Sequence, residues 1–127
     1  MMTIDFASNT PIYQQIRDQI ILSLASNELK LGEELPSVRA MSEEIGVNMM
    51  TVSKAYQMLK DEGIVEGDRR KGTKIVDIVA TDNKKQETNK ETLRLLLAES
   101  LIRGASSEEI HVQMDELLKE FPRGCEK

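Results

Sequence analysis

Residues 35–63 read LPSVRAMSEEIGVNMMTVSKAYQMLKDEG. Ser37 is a good N-cap residue, because a short side-chain oxygen can accept from the unpaired N–H groups of a first helical turn. Val38, Met41 and Ile45 are spaced to make the inner face of a short helix, and Gly46 ends it. Asn48 can cap a following helix that starts almost at once. In it, Val52, Ala55, Tyr56 and Leu59 keep the i, i+3, i+4, i+7 spacing of one buried face, and Gly63 stops it. Two helices around a turn of about three residues, built on Gly46 and Val47, predict a helix-turn-helix.

Upstream, Ile12, Ile16, Ile20 and Leu24 recur every fourth position, with Tyr13 and Ile21 beside them. This predicts a helix that begins at Pro11, is capped by Thr10 and fades near Ala25 to Glu28. Leu31-Gly32-Glu33 reads as a turn. Leu35 before Pro36 reads as extended chain, since a residue preceding proline avoids the helical region.

Downstream of Gly63, Ile64 and Val65 open a short strand. Gly67 to Gly72 is all turn formers and charge, and Thr73 to Val79 is rich in β-branched residues. Strand, basic tip and strand make a hairpin, and a hairpin directly after a helix-turn-helix is a wing. Residues 80–90, ATDNKKQETNK, have no apolar period and read as a linker or the start of a helix. Leu93, Leu96, Leu97, Ser100 and Leu101 then line one helix face, and Gly104 ends it. Ser106 and Glu109 have capping-box spacing, and Ile110, Met114, Leu117, Leu118 and Phe121 form a second stripe. The predicted class is α+β and mostly helical. A winged helix-turn-helix spans residues 10–79, and a two-helix segment spans 91–121.

The chain of 127 residues carries a net charge of −5, an unusual sign for a nucleic-acid binder. Phosphates, however, sense local charge within roughly 8–10 Å, and Arg69, Arg70, Lys71 and Lys74 fall within six positions. The start of the chain lacks the pattern of a signal peptide, and no apolar run approaches the roughly 20 residues of a membrane span, so a cytoplasmic protein is expected. One histidine, His111, and one cysteine, Cys125, neither form a metal site by themselves nor complete a nucleophile–base arrangement. No enzyme activity, metal or cofactor is expected.

The stretch from Pro11 to Ile75 resembles the N-terminal domain of the GntR family of bacterial transcription regulators. The likeness is carried by Pro11-Ile12-Tyr13-Gln14-Gln15-Ile16, by Leu35-Pro36-Ser37-Val38-Arg39, by Thr51-Val52-Ser53-Lys54-Ala55-Tyr56 with Leu59 and Glu62-Gly63, and by Lys71-Gly72-Thr73. The short tail looks like the YtrA-type subfamily. The resemblance implies DNA roles for Arg39, for Asn48 to Ser53, and for the wing tip. Two positions depart from it: many members have Arg where Met49 stands and Gly where Arg70 stands.

A recognition helix presents its N-terminal residues to base edges in the major groove. Here these are Asn48, Met49, Met50, Thr51, Ser53 and Lys54. Asn48 can cap the helix or pair with adenine, and its side chain can hardly do both. One methionine of the pair can pack inward, or either can touch a thymine methyl. Arg39 suits phosphate or a guanine edge, with a pairing to Glu43 as the plainer role. Ser37 and Thr51 can donate hydroxyls to phosphate. Tyr13 could reach phosphate but better suits the core. Lys54, Arg69, Arg70, Lys71 and Lys74 supply counterion-releasing charge, and Thr73 lies beside the wing tip.

Two short amphipathic helices cannot bury both faces alone, whereas four from two chains can form a bundle. Leu93, Leu97, Leu101, Ile110, Met114 and Leu117 are therefore expected at a homodimer interface. The expected function is a regulator, with repression favoured, that binds a pseudo-palindromic site on double-stranded DNA as a homodimer. The rival functions are a winged-helix protein-interaction module and a ligand sensor, whose small-molecule effector would sit between protomers.

Overall fold

In a computed structural model, the structure describes residues 2–68, 72–77 and 79–122. The chain forms two compact units, Met1–Val79 and Ala80–Lys127.

In the first unit, α1 (Ile12–Ala25) buries Ile16, Ile20 and Leu24, the every-fourth-residue stripe of the sequence. Helix α2 (Val38–Ile45) is capped by Ser37, whose Oγ accepts from the Ala40 N–H at 3.0 Å. Gly46 closes α2 with φ +70°, in the left-handed region where glycine carries no Cβ penalty. Helix α3 (Met49–Asp61) follows, burying Val52, Ala55, Tyr56 and Leu59 against α1 and α2. The turn between α2 and α3 is tightened by Ser42, whose hydroxyl donates to the Val47 carbonyl at 2.5 Å. Val52, Leu59, Ile16, Ile20 and Ile75 are among the most deeply buried side chains.

Strands β1 (Val65–Asp68) and β2 (Gly72–Ile75) pair antiparallel, with Val65 opposite Ile75 and Asp68 opposite Gly72. Gly67 sits at φ +133°, and a Cβ there would fall 1.9 Å from the Gly72 carbonyl oxygen. Only glycine lets the two wing strands approach this closely. Lys60, near the end of α3, donates to the Gly67 carbonyl at 3.4 Å and ties the hairpin to the helix.

Two expectations are corrected in this unit. Pro11, not Thr10, is the cap residue of α1: no side chain caps the helix, and the Pro11 carbonyl accepts from Gln14 and Gln15. Strand β2 is shorter than the β-branched run from Thr73 to Val79. Its partner strand begins at Val65; the Val76 N–H still donates to the Ile64 carbonyl at 3.0 Å, and before Ile64 the chain is at the end of α3, where Gly63 takes φ +77°. The turn at Leu31-Gly32 and the extended chain at Leu35 are present, and residues 33–35 do one thing more. The Leu35 N–H donates to Thr73 and the Ile75 N–H to Glu33, both at 2.8 Å, so this segment lines the second edge of β2.

Residues 2–10 also hold defined positions, ahead of the predicted first element. The Thr3 backbone exchanges hydrogen bonds with the Gln19 amide, and the Asp5 backbone does so with Gln15. Met2 and Ile4 pack on the core.

The second unit is a pair of helices. Helix α4 (Asn83–Ile102) begins within the stretch 80–90, because the Asp82 side chain accepts from the Lys85 N–H at 3.0 Å and caps it. Helix α5 (Ser107–Leu118) opens with the complete Ser106–Glu109 capping box, at 3.0 and 3.2 Å. Ile110 is buried, and Leu97 and Met114 are half-buried. Leu93, Leu95, Leu96, Leu101, Ile102, Leu117 and Leu118 stay exposed.

Candidate nucleic-acid interface

The helix-turn-helix leaves the N-terminal ends of α2 and α3 free of acid. Neither has Asp or Glu in its first turn, whereas α5 begins with Glu108 and Glu109. The positive end of each helix dipole is thus available to an anion. The acidic residues of the first unit lie elsewhere. Glu43 and Glu44 are in the second half of α2, and Asp61 and Glu62 end α3. Glu62 chelates Arg17 of α1 through two hydrogen bonds, at 3.0 and 2.5 Å. That bonding is the main reason the Arg17 pKa is raised, against the opposing effect of burial. Although the chain has a net charge of −5, the first turns of α2 and α3 thus carry no carboxylate of their own.

Each candidate side chain has a definite place. Arg39 is exposed in the first turn of α2, and among the described residues no carboxylate, Glu43 included, pairs with it. The Ser37 hydroxyl accepts in the cap and keeps its own proton to donate. Asn48 caps α3, its Oδ1 accepting from the Met50 N–H at 2.6 Å, which leaves the amide NH2 as a donor. Met49 is 47% exposed and Met50 80%. Exposure this large at the head of an otherwise well-packed helix means that neither methionine is needed to fill the core. Thr51 is half-buried, and Ser53 and Lys54 are exposed on the next turn. The Lys54 ammonium lies 4.0 Å from the centre of the Tyr13 ring. Thr73 is half-buried in β2, and Lys74 beside it meets Glu66 at 3.7 Å. Arg69, Arg70 and Lys71 lie outside the described residues.

Two relationships have no signal in the sequence. The Tyr56 hydroxyl donates to the Pro36 carbonyl at 2.8 Å, and Lys54 stands over Tyr13. The first joins residues 20 positions apart, and both involve tyrosines that periodicity assigns simply to the core. His111 is exposed on α5, its Nδ1 2.8 Å from the Ser107 carbonyl. Among the described residues no cluster of three or more His, Cys, Asp or Glu side chains could hold a metal, and no helix is long and apolar enough to cross a membrane.

Residues 12–75 match the family described as bacterial regulatory proteins, gntR family. The chain is also 36% identical over 126 residues to the HTH-type transcriptional repressor YtrA of Bacillus subtilis, covering 98% of this chain and 97% of that one. The chain belongs to the GntR family. Its fold agrees with this membership throughout. A transcriptional antiterminator from Listeria monocytogenes superposes with a TM-score of 0.86 at 34% identity, over 92% of this chain and 89% of that one. YtrA from Sulfolobus acidocaldarius, described as a GntR-family transcription factor, superposes with a TM-score of 0.56 at 39% identity, over 93% and 97%. This GntR-family chain is thus a transcription regulator: a winged helix-turn-helix DNA-binding domain followed by C-terminal helices, with regulators rather than enzymes as its relatives.

Proposed function

We propose that this GntR-family regulator is a homodimeric repressor that binds a pseudo-palindromic operator. The observation that carries the dimer is the tail. Leu93, Leu101 and Leu117 are 42%, 50% and 52% exposed, alongside the half-buried Leu97 and Met114. Burying apolar surface is worth roughly 25 cal/mol per Å², and a second copy of the same two helices offers a matching surface, giving a four-helix bundle. Ile110 already lies inside one tail and would anchor each helix pair within that bundle.

Two winged helices held in one dimer meet two half-sites about one helical turn apart. In this reading Arg39, Ser37 and the wing residues Arg69, Arg70, Lys71 and Thr73 set position on the backbone. The head of α3, from Asn48 to Lys54, faces the major groove. With Asn48 committed to the cap, base discrimination falls to its free NH2, to the methionine pair meeting thymine methyls, and to Thr51 and Ser53. Repression is supported by the name of the Bacillus subtilis relative.

The test is selection of bound sequences from a random DNA pool, followed by sedimentation of the complex. An inverted repeat bound by two chains is the expected result. A single unrepeated motif bound by one chain would overturn the dimeric reading.

A further inference from the structure

Lys54 is the exposed cation of α3 nearest its reading end, four residues after Met50 and therefore on the same helix face. Its ammonium lies 4.0 Å above the ring centre of Tyr13. Tyr13 stands in the first turn of α1, half-buried and packed against the core that α1 shares with α3. We propose that Tyr13 is a positioning residue for DNA binding, its ring holding the Lys54 ammonium in place for a phosphate. This rests on the reading of α3 as the helix that faces DNA.

The physical case lies in what the ring does and does not do. A free lysine has many rotamers and must surrender them on meeting a phosphate. A partner that holds the side chain beforehand removes part of that cost. A carboxylate partner would hold it too, but would cancel its charge, as Glu62 does for Arg17 and Glu66 in part for Lys74. A tyrosine face attracts a cation through its quadrupole and carries no net charge. Lys54 thus stays a full positive charge toward DNA while its direction is fixed. The first unit holds twelve acidic residues against nine basic ones, and α3 has only Lys54 and Lys60, so a neutral holder preserves one of the two positive charges on α3.

The ring also couples two helices. Tyr13 belongs to α1 and Lys54 to α3, so the direction of the ammonium follows the packing of α1 against the recognition helix. The hydroxyl of Tyr13 plays no part in this role, which separates it from a direct phosphate contact by the same residue.

A double-mutant cycle on the full-length chain tests the proposal, read as affinity for a fluorescein-labelled DNA duplex of mixed sequence at low salt. Mixed sequence suffices because a phosphate contact is blind to base identity. Lys54→Met should weaken binding and reduce the salt slope by about one. Tyr13→Leu should weaken it about two- to five-fold, the range an exposed cation–π contact supports. Tyr13→Leu should add nothing in the Lys54→Met background, and Tyr13→Phe should bind as the parent does. Equal losses from Tyr13→Leu in both backgrounds, or a Phe variant as weak as the Leu variant, would overturn the proposal. So would a Lys54→Met variant that binds normally, and this last result would leave DNA binding by the parent chain intact. If Tyr13→Leu fails to fold, the parent protein alone decides. The ring current should move the Lys54 ε-methylene protons upfield in its NMR spectrum, and ordinary lysine positions would refute the placement.

Discussion

The Tyr56 hydroxyl of α3 donates to the carbonyl of Pro36 at 2.8 Å, one residue ahead of the Ser37 cap that starts α2. Helix α3 therefore holds the entry of α2 directly. The angle between the two depends on a polar contact as well as on apolar packing. Removing the hydroxyl leaves the Pro36 carbonyl without this donor. Tyr56→Phe should cost about 1–2 kcal/mol, the range for a lost buried hydrogen bond, measured by denaturant unfolding.

The same residue predicts a pH dependence. Burial, and secondarily the negative charge of Glu44, raise the Tyr56 pKa well above its ordinary value, which is about 10. The folded protein thus keeps the proton at a pH where the unfolded chain releases it. Tyr56 contributes its full stabilisation below about pH 10, and that contribution is lost as pH rises toward the folded value. The difference in unfolding free energy between the parent and Tyr56→Phe should be constant at neutral pH and shrink above about pH 10. A difference that stays level into strong alkali would contradict this.

Gly67→Ala should disable the wing while sparing the three-helix core. A Cβ would lie 1.9 Å from the Gly72 carbonyl oxygen, at φ +133°, so β1 and β2 must part. The expected result is a protein with near-normal helical circular dichroism, a stability loss above about 1 kcal/mol, and weakened binding to every DNA sequence. A variant with parental DNA affinity would show that the wing is dispensable.

The tail prediction rests on which leucines are exposed. Leu101→Ala and Leu117→Ala should shift the monomer–dimer equilibrium toward monomer, with buried-leucine losses of about 2–5 kcal/mol if the dimer covers them fully. Ile110→Ala should instead loosen the helix pair within each chain, since Ile110 is already 8% exposed there. Truncation after Val79 should give a folded monomer that binds an operator far more weakly, because the second half-site is no longer offered at high effective concentration. Sedimentation of both chains at equal concentration decides it; a truncated chain that is still a dimer would refute the assignment.

Positioning and reading should separate in a salt titration. With about 6–10 phosphate contacts per dimer, affinity should fall on the order of 10³–10⁵ between roughly 50 and 200 mM salt. Arg70→Ala or Lys71→Ala should weaken binding to all sequences and lower the slope by about one. Met50→Ala should alter preference at one base position and leave the slope unchanged. Equal losses on every sequence for all three variants would remove the distinction.

What could be read without the fold was what neighbouring residues decide between themselves. The caps at Ser37 and Asn48, the Ser106–Glu109 box and the turn at Gly46 are contests settled within four or five positions. The stripe Ile16, Ile20, Leu24 follows from helical period alone. Tertiary structure decided everything that depends on chain segments meeting from afar. Residues 31–36 read as a turn and extended chain, but nothing near them in sequence shows that Glu33 and Leu35 exchange hydrogen bonds with β2 about 40 residues later. Strand β2 stops at Ile75, despite the β-branched residues beyond, and past it, among the described residues, only one further bond, from the Val76 N–H to the Ile64 carbonyl, reaches the facing chain before that chain enters the end of α3. Tyr13 and Tyr56 read alike in a periodic pattern. Only the packing of α1, α2 and α3 sets one ring under a lysine and aims the other's hydroxyl at a carbonyl, since an orientation relative to a distant element has no local energy to reveal it.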